Sequence, residues 1–452
     1  MAIVLAAGKG TRMKSNLHKV LHSLNGLTMI EHVIRAVNEC DMEDIVTIVG
    51  YQADNVKEVI EGQTKFAYQE EQLGTGHAVQ QAEEILGNYQ GNTIVVSGDT
   101  PLLTPETLTA VFEHHEATQA KATILTAFAD NPTGYGRVIR AENGQVNRIV
   151  EQKDANDEEK VVQEINTGTY IFDNQLLFES LKQVNNNNAQ GEYYLPDVIQ
   201  ILQDQGETIS AYMMDDMTEA IGINDRVALT EATKLLTKRV NEKHMRNGVT
   251  FTNADSTYIE VDVEIGSDTI IEGNVYLKGQ TKIGNNCFIS QGSEIVDSHI
   301  ADHVKIRQSV IEESEVGSYS DVGPFGHLRP KSILGQHVHI GNFVEVKKST
   351  IGDNTKAGHL TYIGDAELGQ QINVGCGTIF VNYDGKHKHI SVIGDQSFIG
   401  SGVSIISPVN VGKRAILAAD SSISEDVPDE TLAIARSRQV NKPNYWEKFS
   451  NK

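Results

Sequence analysis

The chain has 452 residues, 39% hydrophobic and 22% charged, with a net charge of -23; that length exceeds one ordinary core, so two or more domains are expected. The acidic balance argues against a nucleic-acid partner. No apolar run nears the roughly 18 residues of a membrane span, and the apolar N-terminal stretch breaks too early for a signal peptide, so a cytoplasmic protein without membrane insertion is expected.

The first element is a short apolar strand, Ile3-Val4-Leu5, which gives way to Ala6-Ala7-Gly8-Lys9-Gly10-Thr11-Arg12-Met13, with Lys14 and Lys19 beyond. Glycines at 8 and 10 let the backbone approach a ligand, and N–H groups exposed where a strand passes into a helix form an anion site. Arg12 and Lys19 add charge, so the stretch reads as a phosphate loop. A Walker loop is excluded because Lys9 precedes Gly10, and a dinucleotide fingerprint because Met13 stands where a third glycine is needed. Screening over about 8 Å lets such local cations outweigh the negative mean field.

From residue 1 to about 225, apolar runs at 45–49, 93–96, 122–127 and 169–172 alternate with amphipathic stretches such as 29–39 and 104–117. That alternation predicts an α/β sheet, with ligands beyond the carboxyl ends of its strands. Asp99 falls in such a place, after the run Ile94–Val96 and Ser97-Gly98 and before Pro101. A carboxylate there suits Mg2+, a hard ion that bridges carboxylates to substrate phosphates. Asn185 to Asn188 reads as a solvated loop. Asp225 to Asn247 has no glycine or proline, and Val227, Leu235, Leu236 and Val240 recur at near-helical spacing. A helix of up to roughly 34 Å follows, with Asn224 or Asp225 as cap and Gly248 at its stop, long enough to separate two domains.

From Ile265 the character changes to an aliphatic residue at every sixth position: Ile265, Ile271, Leu277, Ile283, Ile289 and Ile295, then Val316, Val322, Leu328, Leu334, Ile340 and Val346. After slips of one residue at Ile351 and Leu368 the phase resumes from Ile393 to Ile423. This period predicts a parallel β-helix of hexapeptide repeats. Function is expected where regularity fails. An inserted loop runs from Phe380 to His389, and Arg329, Lys347, Lys348 and His359 recur at spacings of 18 to 19 and 12, which stack residues on nearby coils or adjacent faces. Such a cluster suits a phosphate beside a base, whereas His387 and His389 read as solvated loop residues.

The glycine stretch, Leu5-x2-Gly8-x-Gly10-Thr11-Arg12-Met13 with a lysine a few residues on, resembles the signature of the sugar-phosphate nucleotidyltransferases. The resemblance implies a Rossmann-like domain in which Leu5, Ala6, Ala7, Gly8 and Lys19 meet UTP, with Arg12 and Lys19 catalytic. Gln69 and Gln72–His77 look like the pyrimidine-binding segment, with Gly74 and Thr75 against uracil, and Ser97, Gly98 and Asp99 complete the nucleotide contacts. Gly134-Tyr-Gly-Arg137, Glu151 and Glu164–Gly168 resemble the sugar-binding part, implying that Gly136, Glu151 and Asn166 contact the hexose and its acetamido group. Asn224 matches the family's second Mg2+ ligand beside Asp99, a role the residues alone do not point to.

Lys356–Asp365 and Val381–Gly385 are more specific, and narrow the resemblance to the bacterial family of bifunctional N-acetylglucosamine-1-phosphate uridylyltransferases and glucosamine-1-phosphate N-acetyltransferases, through Arg436. This implies a left-handed β-helix, a homotrimer, and three parts: a uridylyltransferase domain at 1–226, a linker helix at 227–247 and an acetyltransferase domain at 248–452. His359 would be the general base on glucosamine 1-phosphate, held by Arg329 and Lys347 at the phosphate and by Tyr362 and Asn373 at the sugar. Histidine, with an ordinary pKa of about 6.5, suits that task. Cys376, Asn382, Tyr383, Ser401, Ala419 and Arg436 would line the acetyl-CoA groove, completed by a neighbouring subunit. Cys376 stands where a residue such as alanine is expected, which would expose acetyl transfer to thiol reagents, and the tail after Arg436 diverges. The three cysteines, Cys40, Cys287 and Cys376, have no metal-like spacing and read as free thiols, the first two in packing roles. The rival readings are a monofunctional sugar-1-phosphate nucleotidyltransferase with a structural β-helix, and a non-catalytic assembly subunit.

Overall fold

A computed structural model describes residues 1–450. The chain forms two units, Met1–Leu236 and Thr237–Lys452.

In the first unit, β1 (Ala2–Ala6), β2 (Ile45–Val49), β3 (Lys65–Tyr68), β4 (Asn92–Ser97), β5 (Ala122–Phe128), β6 (Gly136–Arg140), β7 (Val146–Val150), β8 (Glu164–Asp173) and β9 (Ile209–Met213) form one nine-stranded sheet. Its order is β9-β5-β8-β4-β1-β2-β3, with the β6–β7 hairpin attached to β8. The strands predicted at 45–49, 93–96, 122–127 and 169–172 all lie within these elements. The central ones are unbroken apolar runs because both faces are covered: Ile3, Val4, Val46, Ile48, Ile94, Val95 and Val96 are fully buried. β1 pairs in parallel with β2 on one side and β4 on the other. The chain thus runs outward through β2 and β3 and returns on the opposite side of β1, and this reversal opens a crevice beyond the carboxyl ends of β1 and β4. β8 runs antiparallel between β4 and β5, with a register shift between Asn166 and Tyr170. A bulge of this kind bends the strand and re-aims the side chains beside it.

The long helix spans Arg226–Arg246, close to its predicted bounds. Asp225 is its cap, accepting from the N–H groups of Val227 and Ala228 at 3.0 and 2.9 Å. Asn224 is thereby left for other partners. Gly248, at φ +94, follows the helix end.

In the second unit the hexad period becomes a parallel β-helix. Ile271 pairs with Ile289 and Leu277 with Ile295, each 18 residues on, while Ile265 pairs with Ile283 in a second sheet. Three hexads therefore make one coil. Ile271, Leu277, Ile289, Ile295 and Ile311 are fully buried, stacked along the interior. In regular and shortened coils alike, corner hydroxyls take up backbone groups: Ser320 Oγ accepts from Val338 N–H at 2.9 Å, Ser298 Oγ from Ser314 N–H at 3.1 Å and Ser349 Oγ from Ala366 N–H at 3.0 Å. The inserted loop lengthens one coil, so that Leu368 pairs with Ile393 and Val374 with Ile399.

Each inward residue supports the coil above and below, so Ile311→Ala is expected to destabilise this unit by about 2–5 kcal/mol. Urea unfolding followed by far-UV circular dichroism checks this, and an unchanged midpoint contradicts it. Among the described residues no helix is long and apolar enough to cross a membrane.

Candidate active sites

Beyond the carboxyl ends of β1 and β4 lies a cleft of about 250 Å³, walled by Leu5–Gly8, Lys19, Gln69, Gly74, Thr75, Ser97 and Asp99 among others. A second cavity of about 200 Å³ shares Leu5, Thr75 and Ser97 with it and adds Gly136, Glu151, Asn166 and Tyr170. The two are contiguous, with most of the predicted nucleotide residues, though not Gly98 or Asn224, lining the first and Gly136, Glu151 and Asn166 lining the second.

At the mouth of the cleft, Lys19 Nζ contacts Asp99 Oδ2 and donates to Asn224 Oδ1 at 3.0 Å, and Arg12 Nη2 donates to the same Asn224 oxygen at 2.9 Å. Ile223 N–H donates to the Asp99 carbonyl at 2.9 Å and so ties the Asn224 segment to the strand end. A carboxylate and a carboxamide oxygen thus converge on one cation. A hard ion such as Mg2+ takes oxygen ligands of this type and completes its shell with phosphates and water, so the donor set fits. Among the described residues no group of three or more His, Cys, Asp or Glu could hold a metal, which leaves a site of few protein ligands.

The loop around Gly74 is shaped from behind. Gln69, buried, donates from Nε2 to the Gly74 carbonyl at 3.2 Å and meets His77 Nδ1 at 3.0 Å. Gly74, at φ +116, packs so close to Tyr193 that a Cβ would stand 2.5 Å from its carbonyl oxygen. Gly76 N–H donates to that oxygen at 2.8 Å, and Leu195 N–H donates to Thr75 Oγ1 at 3.1 Å. The segment Tyr193–Leu195 therefore clamps the loop, a role the sequence did not reveal because the contact spans some 120 residues.

In the second cavity, burial, aided by Asp154 and Asp197, pushes the Glu151 carboxyl above its ordinary range, and Arg137 opposes the shift. Asn166 Nδ2 donates to the buried Tyr170 hydroxyl at 2.6 Å. Arg137 is buried beneath the Gly134–Gly136 turn, donating to the Tyr135 carbonyl and, at 2.8 Å, to Gln152.

On the β-helix, Arg329 pairs in register with Lys347 and Glu345 with Tyr362. Arg329 Nη1 donates to Glu345 Oε1 at 2.9 Å. Lys388, from the inserted loop, comes close enough to Lys347 to lower the pKa of that ammonium, with burial and Arg329 adding to the effect. Three cations gather here, partly offset by Glu345 and Asp365, and a phosphate would relieve the repulsion that remains between the two lysines. Lys348, grouped with them from its spacing, adopts the left-handed conformation and pairs at 3.4 Å with Asp365, a carboxylate that also acts on Lys347.

His359 pairs in register with Asn342, and its Nδ1 lies 2.8 Å from Asn342 Oδ1. A carboxamide oxygen only accepts, so Nδ1 carries the hydrogen and Nε2 keeps its lone pair. The pairings Ala357–Val374, Val374–Ile399 and Ile399–Leu417 put Cys376, Ser401 and Ala419, each two residues further on, in one column above His359. Tyr362 and Asn373 lie on the faces flanking this corner, Asn373 pairing with Lys356. Asn382 is buried and donates to Asp365 at 2.6 Å and to the Tyr362 hydroxyl at 3.4 Å, so it braces Tyr362 from behind. Tyr383 and Arg436 are exposed.

The inserted loop is held by Asp384, whose carboxylate accepts from the N–H groups of Lys386 and His387, both at 2.7 Å, and from His389 Nε2 at 2.8 Å. His389 thus braces the loop and is not merely solvated. The His387 amide, the His389 ring and the Lys386 amide hold the Asp384 pKa down at about 2. Because this turn presents Lys388, Asp384→Ala is expected to raise KM for glucosamine 1-phosphate about tenfold with kcat little changed. Steady-state acetyl-transfer kinetics check it, and an unchanged KM contradicts it.

Cys40 and Cys287 are packed, with burial raising both thiol pKa values, and Cys376 is half-exposed.

A nucleotidyl transferase family model matches residues 1–259, and a model described as the GMPPB C-terminal domain matches residues 254–359. Relatives named bifunctional protein GlmU align end to end. The one from Enterococcus faecalis is 59% identical over 99% of this chain and 98% of its own, and one from Streptococcus thermophilus is 57% identical over 98% and 96%. A third, from Listeria welshimeri, is 53% identical over 100% and 98%. Identity of this order along the whole length, over a nucleotidyltransferase sheet joined to a parallel β-helix, makes the chain a member of the bifunctional GlmU family.

Proposed function

We infer that the chain makes UDP-N-acetylglucosamine in two steps: acetyl-CoA-dependent N-acetylation of glucosamine 1-phosphate, then uridylyl transfer from UTP to N-acetylglucosamine 1-phosphate with release of pyrophosphate. The observation that carries this reading is the presence in one chain of two separate polar centres, Lys19–Asp99–Asn224 and His359–Asn342 beside Arg329 and Lys347.

In the β-helix, Arg329, Lys347 and Lys388 hold the sugar phosphate, and Tyr362 and Asn373 flank the sugar. His359 Nε2 takes a proton from the substrate's amino group, whose lone pair attacks the thioester carbonyl; the C–S bond breaks and the imidazolium returns that proton to the departing sulfur, so CoA leaves as the thiol. Asn342, accepting from Nδ1, steadies the imidazolium that forms. Cys376, Asn382, Tyr383, Ser401, Ala419 and Arg436 serve acetyl-CoA.

In the α/β unit, Leu5–Gly8, Gln69, Gly74 and Thr75 bind UTP with Ser97 and Gly98, while Gly136, Glu151 and Asn166 orient the acetylated sugar. Its phosphate oxygen attacks the α-phosphorus and pyrophosphate departs. Asp99 and Asn224 would hold Mg2+, which when bound neutralises phosphate charge. Arg12 and Lys19 meet the charge that develops on the triphosphate; alignment and electrostatics dominate. A cytoplasmic homotrimer through the β-helix completes the reading.

The test is to supply the pure chain with glucosamine 1-phosphate, acetyl-CoA, UTP and Mg2+ and to follow free CoA and pyrophosphate separately. Both are expected. Pyrophosphate from preacetylated sugar without any CoA from glucosamine 1-phosphate would instead make the β-helix a scaffold and the enzyme monofunctional.

A further inference from the structure

The turn Lys19–Leu21 begins on His18, whose side chain is only 1% exposed yet borders the nucleotide cleft together with Gly8. Its Nδ1 accepts from the Val20 N–H at 3.3 Å. A neutral imidazole that accepts at Nδ1 carries its hydrogen on Nε2. That Nε2 is buried and makes no hydrogen bond, an uncommon state for a buried donor. The backbone of Gly8 faces the ring, near enough to act as a weak partner that raises the His18 pKa against burial, though not aligned as a full hydrogen bond.

The surroundings hold the ring in place. Tyr51 stacks on it with centroids 6.2 Å apart, and the Tyr51 N–H donates to the Ala7 carbonyl at 3.4 Å, so one residue fixes both the imidazole and the strand end leading into Gly8. Gly10, at φ +57, rests on the neighbouring residue, where a Cβ would stand 2.5 Å from Lys19 Cβ. The glycine loop therefore lies against the pair His18 and Lys19, while Gly8 has open space on its side-chain side. Burial first, then Lys19 and His22, lower the His18 pKa to about 4. The ring is accordingly an uncharged donor near neutrality.

We propose that His18 is a positioning residue for uridylyl transfer, its Nε2–H closing onto the Gly8 carbonyl when a nucleoside triphosphate draws the glycine loop in, so that the loop's N–H groups are fixed around the phosphates. The proposal rests on the uridylyltransferase reading of this unit. It turns the loose approach of His18 to the Gly8 backbone into a full bond in the nucleotide-bound state, so its effect falls on UTP and not on the sugar phosphate. Lys19, next in the chain, is aligned by the same closure.

The test uses the full chain with UTP and N-acetylglucosamine 1-phosphate varied separately. His18→Asn keeps an oxygen where Nδ1 caps Val20 and has no donor at the Nε2 position; His18→Gln puts an amide nitrogen near that position. His18→Asn is expected to lower kcat/KM for UTP about tenfold, the size of one net hydrogen bond, with KM for the sugar phosphate within about twofold of wild type and the thermal midpoint unchanged. His18→Gln recovers most of the loss. Wild-type kinetics in His18→Asn overturn the proposal, as does a loss that raises both KM values alike or that His18→Gln shares in full. CoA release by the same preparations reports on folding, and a wild-type chain that releases no pyrophosphate would sink the uridylyltransferase reading itself.

Discussion

Asp99→Asn is expected to lower uridylyl transfer by about 10²- to 10³-fold while acetyl transfer continues at the wild-type rate. The substitution keeps the side chain's shape and removes its charge. Asp99 Oδ2 meets Lys19, and the backbone of Asp99 accepts from Ile223, so one residue both sets the charge of the cleft and anchors the Asn224 segment. The backbone bond survives the change, so the loss is electrostatic and the fold is kept. A variant that also needs more Mg2+ for half-maximal rate identifies the carboxylate as a ligand. Pyrophosphate release measured against added Mg2+ decides it, and a variant within a few-fold of wild type at every concentration contradicts the assignment.

His359→Ala is expected to lower acetyl transfer by about 10²- to 10⁴-fold, the usual contribution of a general base, and to leave uridylyl transfer from preacetylated sugar untouched. The direction follows from the tautomer: with Nδ1–H directed at Asn342, the free lone pair is on Nε2. Asn342→Ala removes the oriented acceptor while keeping the imidazole, so a smaller loss of about tenfold is expected. CoA release by the two variants checks both. Equal losses would mean that Asn342 touches the reacting amine directly, and no loss in His359→Ala would remove the base from the mechanism.

The β-helix was legible because its inward residue recurs at fixed spacing and Ile271, Leu277 and Ile289 can face nowhere else. That Lys19 and Asp99 share one cleft was legible because a glycine-rich strand end followed by cations and a carboxylate after a neighbouring parallel strand both fall beyond the carboxyl ends of the sheet. Asn224 was not, since an asparagine before a helix is ordinarily its cap; only the fold shows Asp225 in that role and Asn224 turned to Arg12 and Lys19. Lys388 was missed because an irregular loop hides which of its basic residues folds back, and that is settled by the Asp384 turn. Lys348 was grouped with Arg329 and Lys347 on spacing alone; its left-handed backbone at φ 44 aims it at Asp365, the carboxylate that Lys347 also faces. The clamp on Gly74 by Tyr193 was likewise hidden, because it is tertiary.

The coil lengthened by the inserted loop has a consequence for how such a protein changes over time. Leu368 and Ile393 still pair, as do Val374 and Ile399, although the chain between them has grown. Extra residues leave at a corner and return in phase, so the flanking coils keep their pairing whatever the length of the excursion. The corner is thus a port where chemistry can be added without renegotiating the frame, and exposed side chains of the excursion that serve neither the site nor the frame, such as Lys386, are less constrained than the buried Ile393 and Ile399.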